Sequence, residues 1–251
     1  MINILLCGAN GKMGQAVRRC IDSCDGAVIA AGVDKNPKEC GFPVFSDISL
    51  VTGKTDCIID FSHPSVTDSL LDYAKNRKIP AVICTTGLSK DQISKIEFYS
   101  REIPIFYSAN MSLGVNLITE LVQKAAKVLG GSFDIEIVEK HHNQKLDAPS
   151  GTALAIADAA AEALSYTPHY VYDRHSVRKK RDADEIGIHS VRGGNIVGEH
   201  TVIFAGTDEV VEIKHTATSK EVFAVGAVRA SLFLCGKEKG LYNMGDLIRE
   251  Y

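Results

Sequence analysis

The first 110 residues alternate short apolar runs with amphipathic segments. Continuous apolar runs favour buried strands, whereas apolar residues three or four positions apart favour helices. Strands are predicted over 2–7, 27–33, 56–61, 81–84 and 105–107, and helices after Gly8, over 66–77 and over 90–101. Strands that alternate with helices in this way predict a Rossmann-type, doubly wound parallel sheet, with a ligand crevice at the carboxyl ends of its strands.

The pattern changes after Asn110. Phe133, Ile135 and Ile137 alternate with Asp134, Glu136 and Val138, which is strand periodicity. The predicted elements are a helix over 113–129, this strand, a helix over 153–164, strands near 187–191, 196–204 and 210–215, and a helix over 221–235. Because no helices separate the last three strands, mixed or antiparallel pairing is expected. The predicted fold class is therefore α/β, with a second α+β domain built on a mixed sheet.

Charge argues against nucleic acid as a partner. The formal net charge is −3, so the chain has no overall basic field. The basic run Arg178–Arg181 is followed at once by acidic residues, within the segment 174–185 that is predicted to be loose. This pattern predicts a solvated loop that neutralises itself.

Cysteine usage favours a cytoplasmic protein. The seven cysteines are odd in number and include no Cys-x-x-Cys pair, so they are predicted to be reduced thiols. The first seven residues lack the basic start of a signal peptide, and no apolar run reaches membrane-spanning length. We therefore expect neither a signal peptide nor a membrane partner.

A glycine pattern follows the first predicted strand. Gly8, Gly11 and Gly14 are typical of a dinucleotide-binding turn, in which glycine permits the tight turn and the close approach of the pyrophosphate. Asp34 ends the second strand, where an acidic residue contacts the adenosine ribose in such folds. Lys35 and Lys12 are able to neutralise a 2′-phosphate, so NADH and NADPH both remain open.

The segment 136–153 combines a strand end, two imidazoles, a lysine and a helix start. His141 and His142 end the alternating strand, Lys145 follows, and the residues 149–152 precede an Ala-rich helix. Backbone N–H groups at a helix start favour an anion, and imidazole and ammonium groups can donate protons. Taken singly, a surface histidine pair and an ordinary helix entry also explain these residues. No spacing typical of a metal site accompanies the histidines, so no metal is predicted.

The same segment resembles a known family. The run His141-His-Asn-Gln-Lys-Leu-Asp-Ala-Pro-Ser-Gly-Thr-Ala153 is similar to the signature of the 4-hydroxy-tetrahydrodipicolinate reductases, formerly called dihydrodipicolinate reductases. Five further segments support the resemblance, and together they span nearly the whole chain: Gly8–Gly14, Cys84–Gly87, Ser108–Asn116, Gly198–His200 and Gly236–Tyr242.

The resemblance implies an activity and an assembly. The implied reaction is the NADH- or NADPH-dependent reduction of a cyclic dicarboxylate, 4-hydroxy-tetrahydrodipicolinate, to tetrahydrodipicolinate with loss of water, in diaminopimelate and lysine biosynthesis. It also implies a homotetramer, a discontinuous dinucleotide-binding domain at 1–109 and 221–251, and a substrate-binding and oligomerisation domain at 110–220. The alternatives are another two-lobed nicotinamide-dependent amino-acid dehydrogenase and a non-catalytic NAD sensor.

The resemblance also implies roles for individual residues. His141 and Lys145 are the candidate catalytic acids, and which of the two donates the proton is open. The candidate substrate-binding residues are His142, Ser150, Gly151 and Thr152. The candidate cofactor-binding residues are Gly8, Ala9, Asn10, Gly11, Lys12, Met13, Gly14, Asp34, Lys35, Phe61, Cys84, Thr85, Thr86, Ser108, Ala109, Asn110 and Met111. Cys84 stands where the family usually has glycine.

Overall fold

The computed structural model describes residues 1–38 and 40–250. The chain divides into two compact units. The first unit comprises Met1–Leu113 and the chain from Lys220 onward, and the second comprises Gly114–Ser219. No helix in the described part of the chain is long and apolar enough to cross a membrane.

The described part of the chain contains twelve strands and seven α-helices. The strands are β1 Ile2–Cys7, β2 Ala27–Val33, β3 Val44–Phe45, β4 Cys57–Asp60, β5 Ala81–Ile83, β6 Pro104–Tyr107, β7 Asp134–His141, β8 His169–Val171, β9 Glu185–Arg192, β10 Gly198–Ala205, β11 Val210–Ala217 and β12 Gly240–Tyr242. The α-helices are α1 Lys12–Asp22, α2 Thr67–Arg77, α3 Lys90–Tyr99, α4 Leu113–Leu129, α5 Gly151–Ala163, α6 Glu221–Leu234 and α7 Met244–Ile248.

The first unit is built on a seven-stranded parallel sheet in the order β12-β6-β5-β4-β1-β2-β3. Its central strands are largely apolar because both faces are covered. In β1, Ile4 and Leu6 pack on the side that holds α1 and α6, whereas Leu5 and Cys7 pack on the side that holds α2 and α3. The predicted doubly wound parallel sheet is therefore confirmed.

The second unit is built on a five-stranded sheet in the order β11-β10-β7-β9-β8. Strand β7 pairs parallel with β9 and antiparallel with β10, so the predicted mixed sheet is confirmed. Helices α4 and α5 cover one face, where Val122 and Ile156 pack on apolar side chains of β7, β9 and β10.

Four elements were absent from the sequence-based prediction: β3, β8, β12 and α7. Each is five residues or shorter, and the three strands each pair with one neighbour only. Such short strands carry too few residues to establish a period, so pairing with the sheet determines them.

The prediction of a self-neutralising solvated loop at Arg178–Arg181 is wrong for its last residue. The Arg181 side chain is only 16% exposed and forms ion pairs with Asp134 at 2.8 Å and Glu136 at 3.0 Å. Arg178 and Lys180 are exposed, as predicted. Arg181 therefore attaches this segment to β7.

Candidate active site

The candidate site lies on the helix-facing side of the five-stranded sheet, where rows of side chains change from apolar to polar along the strands. Two apolar rows pack under α4 and α5. The next row carries a hydroxyl, a carboxylate and two imidazoles. In the strand order β9, β7, β10, β11, the first apolar row is Ile186, Ile135, Phe204 and Val211, and the second is Ile188, Ile137, Val202 and Ile213. The polar row in the same order is Ser190, Glu139, His200 and His215. One face of the sheet thus provides both the core and the site.

The last row on this face places His141 beside Arg192, its partner in the register of β7 and β9. A Cβ atom on Gly198 of β10 would lie 3.2 Å from Nε2 of His141. This distance is tighter than ordinary van der Waals contact, so glycine at position 198 leaves room for the imidazole ring. The ring of His141 also packs edge-on against His200, with the ring centroids 5.2 Å apart.

Glu139 is the centre of the hydrogen bonds in the site, and its side chain is fully buried. Its carboxylate accepts hydrogen bonds from Nδ1 of His141 at 2.6 Å and from the backbone N–H of Ser150 at 3.1 Å. Both terminal nitrogens of Arg192 also donate to it, at 2.8 and 2.6 Å. Burial by itself would raise the pKa of Glu139, but hydrogen bonds from Arg192, His141 and Ser190 lower this pKa to about 2. The group is therefore a carboxylate at neutral pH.

Lys145 lies in the loop between β7 and α5. Its ammonium group contacts the carboxylate of Asp147 at 2.9 Å, and this hydrogen bond is the main reason that the pKa of Asp147 is lowered. Arg192 donates to the backbone carbonyl of Asp147 at 2.7 Å. The loop that carries Lys145 is thereby connected to the same arginine that binds Glu139.

The start of α5 is fixed from two directions. Ser150 is the N-cap residue, and its hydroxyl accepts from the N–H of Ala153 at 3.1 Å. The same hydroxyl contacts Nε2 of His200 at 3.0 Å, while the Ser150 N–H is bound to Glu139. Burial, and then the charge of His141, lowers the pKa of His200 to about 4, so its ring is neutral at neutral pH.

Some of the sequence-based candidates in the second unit are joined to the hydrogen bonds of Glu139 and Arg192, and others lie more exposed beside them. Glu139 binds both His141 and Ser150 directly, and Arg192 connects Glu139 to the loop of Lys145. His142 is partly exposed at the end of β7, and Gly151 is exposed at the first position of α5.

Sequence reasoning missed Glu139, Arg192 and His200. A signal for Glu139 was present, because it continues the buried phase of the strand after Ile135 and Ile137. A carboxylate in that phase indicates a buried group with fixed partners.

One group in the described part of the chain has side chains spaced like metal ligands: His169, Asp182 and Glu185. Lys179 pairs with both carboxylates and Arg174 pairs with Glu185, so cations of the protein already neutralise them. Within residues 1–38 and 40–250, His141 and His142 belong to no such group.

The first unit contains a cavity of about 650 Å³ at the glycine turn after β1. A Cβ atom on Gly8, whose φ is +77°, would lie 2.5 Å from the carbonyl oxygen of Phe61, and one on Gly14 would lie 2.2 Å from that of Gly8. Substitution at either position would displace backbone, so glycine is required by this close approach. The turn has the form that a pyrophosphate needs beside the start of α1.

Asp34 and Lys35 both line this cavity. The Asp34 carboxylate accepts from the backbone N–H groups of Asn10 at 2.9 Å and Asn36 at 3.0 Å, which holds it at the end of β2. Polar residues that the sequence did not predict also line the cavity: Ser46, Asp47, Ser62, His63, Ser65 and Ser69. Their signal was weak, since polar residues after a strand also occur in ordinary loops.

A further set of the predicted cofactor residues lies after β5 and β6. The hydroxyl of Thr85 donates to buried Asp60 at 2.7 Å, and the side-chain oxygen of Asn110 accepts from the N–H of Ser112 at 2.9 Å. Met111 is 3% exposed in the core, where its carbonyl oxygen would clash with a Cβ atom on Gly226 of α6. The side chains of Thr85 and Met111 therefore face inward, and their contact with a cofactor remains a prediction.

Comparison with known proteins covers both units. The family model described as dihydrodipicolinate reductase, N-terminus, matches residues 2–111, and the C-terminus model of the same family matches residues 114–248. A 4-hydroxy-tetrahydrodipicolinate reductase of Caldanaerobacter subterraneus subsp. tengcongensis is 53% identical over 250 residues, covering 100% of this chain and 99% of the relative. The enzyme of that name from Clostridium tetani is 51% identical, covering 99% and 97% of the two chains.

A solved structure is similar over both units as well. The dipicolinate-bound dihydrodipicolinate reductase from Paenisporosarcina sp. TG-14 matches with a TM-score of 0.83 and 25% identity, over 97% of each chain. With the two family models and the full-length relatives, these similarities show that the chain belongs to the dihydrodipicolinate reductase family.

Proposed function

We propose that this chain reduces 4-hydroxy-tetrahydrodipicolinate to tetrahydrodipicolinate and water, with NADH or NADPH as the reductant. Membership of the family supports the reaction class. Relatives that match over their full length, with about half of their residues identical, are named as this enzyme. The observation on this chain that supports it best is the cluster of Glu139, His141, Arg192 and the Lys145 loop. In this cluster, Glu139 binds both His141 and the N-cap residue of α5, and Arg192 binds the loop of Lys145. These contacts support a role for His141 and Lys145 as proton donors next to an anion-binding helix start.

The glycine turn and cavity of the first unit fit a dinucleotide. Gly8 and Gly14 would bring backbone against the pyrophosphate, and Asp34 would bind the hydroxyls of the adenosine ribose. When bound, the reduced nicotinamide supplies a hydride. The residues of the second unit bind the dicarboxylate, orient it and provide the proton.

The proton balance of the reaction requires an acid in the site. The substrate takes up one hydride and one proton and loses its hydroxyl group as water. His141 and Lys145 are the candidate acids, since imidazolium and ammonium groups both donate. The start of α5 would bind a substrate carboxylate, with His142, Ser150, Gly151 and Thr152 as the binding residues.

The experiment that tests the proposal is a coupled assay. Substrate is generated enzymatically in the same cuvette, and the loss of reduced nicotinamide is followed by absorbance. Oxidation of NADH or NADPH that depends on the substrate is the expected result. If neither cofactor is oxidised by folded protein, the proposed function is wrong.

Both cofactors are expected to work, with kcat/KM values within about tenfold of each other, a difference of ~1.4 kcal/mol. Asp34 favours NADH and the neighbouring Lys35 favours NADPH, and both line the cavity. Lys35→Ala should raise KM for NADPH by about threefold to fivefold and leave KM for NADH within about twofold. An exposed charge pair is worth up to about 1 kcal/mol, and only NADPH has the 2′-phosphate.

A matched control is Lys54→Ala, because Lys54 is an exposed lysine of the same unit outside the cavity. It should leave both KM values unchanged. A thousandfold preference of the wild-type protein for one cofactor would contradict the expectation.

We further propose a homotetramer in the cytoplasm. Exposed apolar side chains on α4, Leu117, Leu121 and Val128, support an association of copies through the second unit. The seven free cysteines support a reducing compartment. Light scattering of the purified protein should give a mass four times the 27.1 kDa of the chain. A mass equal to one chain would rule the tetramer out.

A further inference from the structure

Strand β7 carries two glutamates that bind a histidine and an arginine, one on each face of the sheet. Glu136 accepts from Nε2 of His189 at 2.8 Å and from Arg181 at 3.0 Å, on the face away from α4 and α5. Glu139 accepts from His141 and Arg192 on the helix-facing side. The two groups have similar chemistry, but only the second belongs to the candidate site.

Glu139 also differs from Glu136 in what it connects. Four of its hydrogen bonds come from three separate parts of the chain: the end of β7, the end of β9 and the residue that caps α5. Arg192, bound through both terminal nitrogens, extends the connection to the carbonyl of Asp147. The loop between β7 and α5 is thus held at Asp147 by Arg192 and at Ser150 by Glu139.

The hydrogen bond to Glu139 also determines how His141 presents its ring. A carboxylate only accepts hydrogen bonds, so Nδ1 of His141 carries the hydrogen in this contact. Nδ1 is then unavailable to substrate, and Nε2 is the ring nitrogen that remains. The Gly198 position leaves space beside Nε2.

We propose that Glu139 is a positioning residue for the reduction. With Arg192, it fixes the ring of His141 and the loop that carries Lys145 in one geometry. This inference rests on the proposed function, in which His141 and Lys145 are the candidate acids. Glu139 does not touch the reacting atoms, and it acts through the residues that it holds.

The competing explanation is that Glu139 and Arg192 form an ion pair that only stabilises the second unit. Thermal stability does not separate the two explanations, since both predict that loss of the pair weakens the fold. Two measurements do separate them: the coupling between Glu139 and His141 in kcat, and the state of the His141 ring.

The central variant is Glu139→Gln, made in the full chain and assayed with NADPH and enzymatically generated substrate. The amide retains the size of the side chain, but it is uncharged and an NH2 group replaces one oxygen, so two of the four donors lose their acceptor. We expect kcat to fall about 10-fold to 100-fold, the range typical of groups that orient a metal-binding histidine through a hydrogen bond, with KM for NADPH within about twofold. Glu139→Gln added to His141→Ala should lower kcat by less than about threefold beyond His141→Ala alone, because Glu139 acts through the side chain that is already missing.

Glu136→Gln is the matched control, since it removes a carboxylate bound to histidine and arginine from the same strand on the opposite face. It should leave kcat within about twofold of wild type. If Glu139→Gln fails to fold, the double variant Glu139→Gln, Arg192→Gln removes both buried charges and serves in its place, with the same expected loss of kcat.

The second measurement is nitrogen NMR of the histidine rings. In the wild-type protein, the His141 ring should show a hydrogen on Nδ1 in a strong hydrogen bond, and this signal should be lost in Glu139→Gln. The NMR signal can be measured in both proteins without following the reaction. A ring signal that is the same in both proteins would overturn the inference.

The two proposals fail in different ways. If His141→Ala lowers kcat a hundredfold or more while Glu139→Gln stays within twofold, or if the two losses multiply, Glu139 does not position His141 and the proposed function stands. If His141→Ala itself leaves kcat within a few-fold of wild type, the assignment of His141 in the proposed function is wrong, and the positioning role for catalysis is wrong with it.

Discussion

Lys145→Ala and His141→Ala are each expected to lower kcat by ~10²–10⁴, the usual contribution of a positioned general acid. Both side chains can donate a proton, and a donor acts differently on the ground state and the transition state. Their loss should therefore appear in kcat, with cofactor affinity nearly unchanged, because the cofactor cavity belongs to the first unit. Steady-state kinetics with the coupled assay measure both parameters, and thermal melts check that each variant is folded.

Thr152→Ala provides the contrast. Thr152 lies in the first turn of α5, where a carboxylate would be bound in the ground state and the transition state alike. This substitution should chiefly raise KM for the dicarboxylate. If the histidines and the lysine were ordinary surface groups, all three variants would stay within a few-fold of wild-type kcat. A Lys145→Ala, His141→Ala double variant that retains more than a tenth of wild-type kcat would end the catalytic assignment.

The elements of the fold were predictable where the period of the sequence extends over enough residues. Strands β1 and β2 and helix α4 have the predicted bounds, and the change from alternating helices and strands to consecutive strands marked the mixed sheet. Edge strand β8 was not predictable in this way. It has three residues, and its parallel pairing with β9 joins positions that lie sixteen residues apart, such as His169 and Glu185.

The chemistry of the site was predictable only where its residues are neighbours in the sequence. His141, Lys145 and Ser150 lie within ten positions, so their combination was visible. Arg192 lies 53 positions from Glu139, and His200 lies 50 positions from Ser150. The register of β7 with β9 and β10 brings them together, and register depends on the pairing of whole strands.

Because the carboxylate of Glu139 is buried, Arg192 should contribute to the stability of the second unit as well as to the reaction. Glu139 and Arg192 form a bidentate pair in which the carboxylate is fully buried and the arginine side chain is 19% exposed. Arg192→Ala should lower the free energy of unfolding by ~3–5 kcal/mol, because it leaves a buried charge without its main partner. Urea unfolding at pH 7 measures this loss, and amide hydrogen exchange in β7 and β10 reports on the second unit separately.

The loss caused by Arg192→Ala should depend on pH with a definite sign. In the wild-type protein, the pKa of Glu139 is lowered from 4.5 to about 2, so its stabilising contribution is fully present above the unfolded-state value of 4.5. This contribution disappears as the pH falls from 4.5 to about 2, where the carboxyl group becomes protonated in the folded protein as well. The difference in unfolding free energy between wild type and Arg192→Ala should therefore be largest above pH 4.5 and shrink below it.

Two further variants make the stability prediction specific. Arg19→Ala removes an arginine that pairs with Glu221 at 2.8 Å, but both of these side chains are more than half exposed. It should cost less than about 1 kcal/mol, because solvent screens an exposed pair. Adding Glu139→Gln to Arg192→Ala removes the stranded charge and should recover about 1–3 kcal/mol of the loss. Equal losses for Arg192→Ala and Arg19→Ala, with no change between pH 7 and pH 3, would show that Glu139 does not depend on Arg192 for its charge.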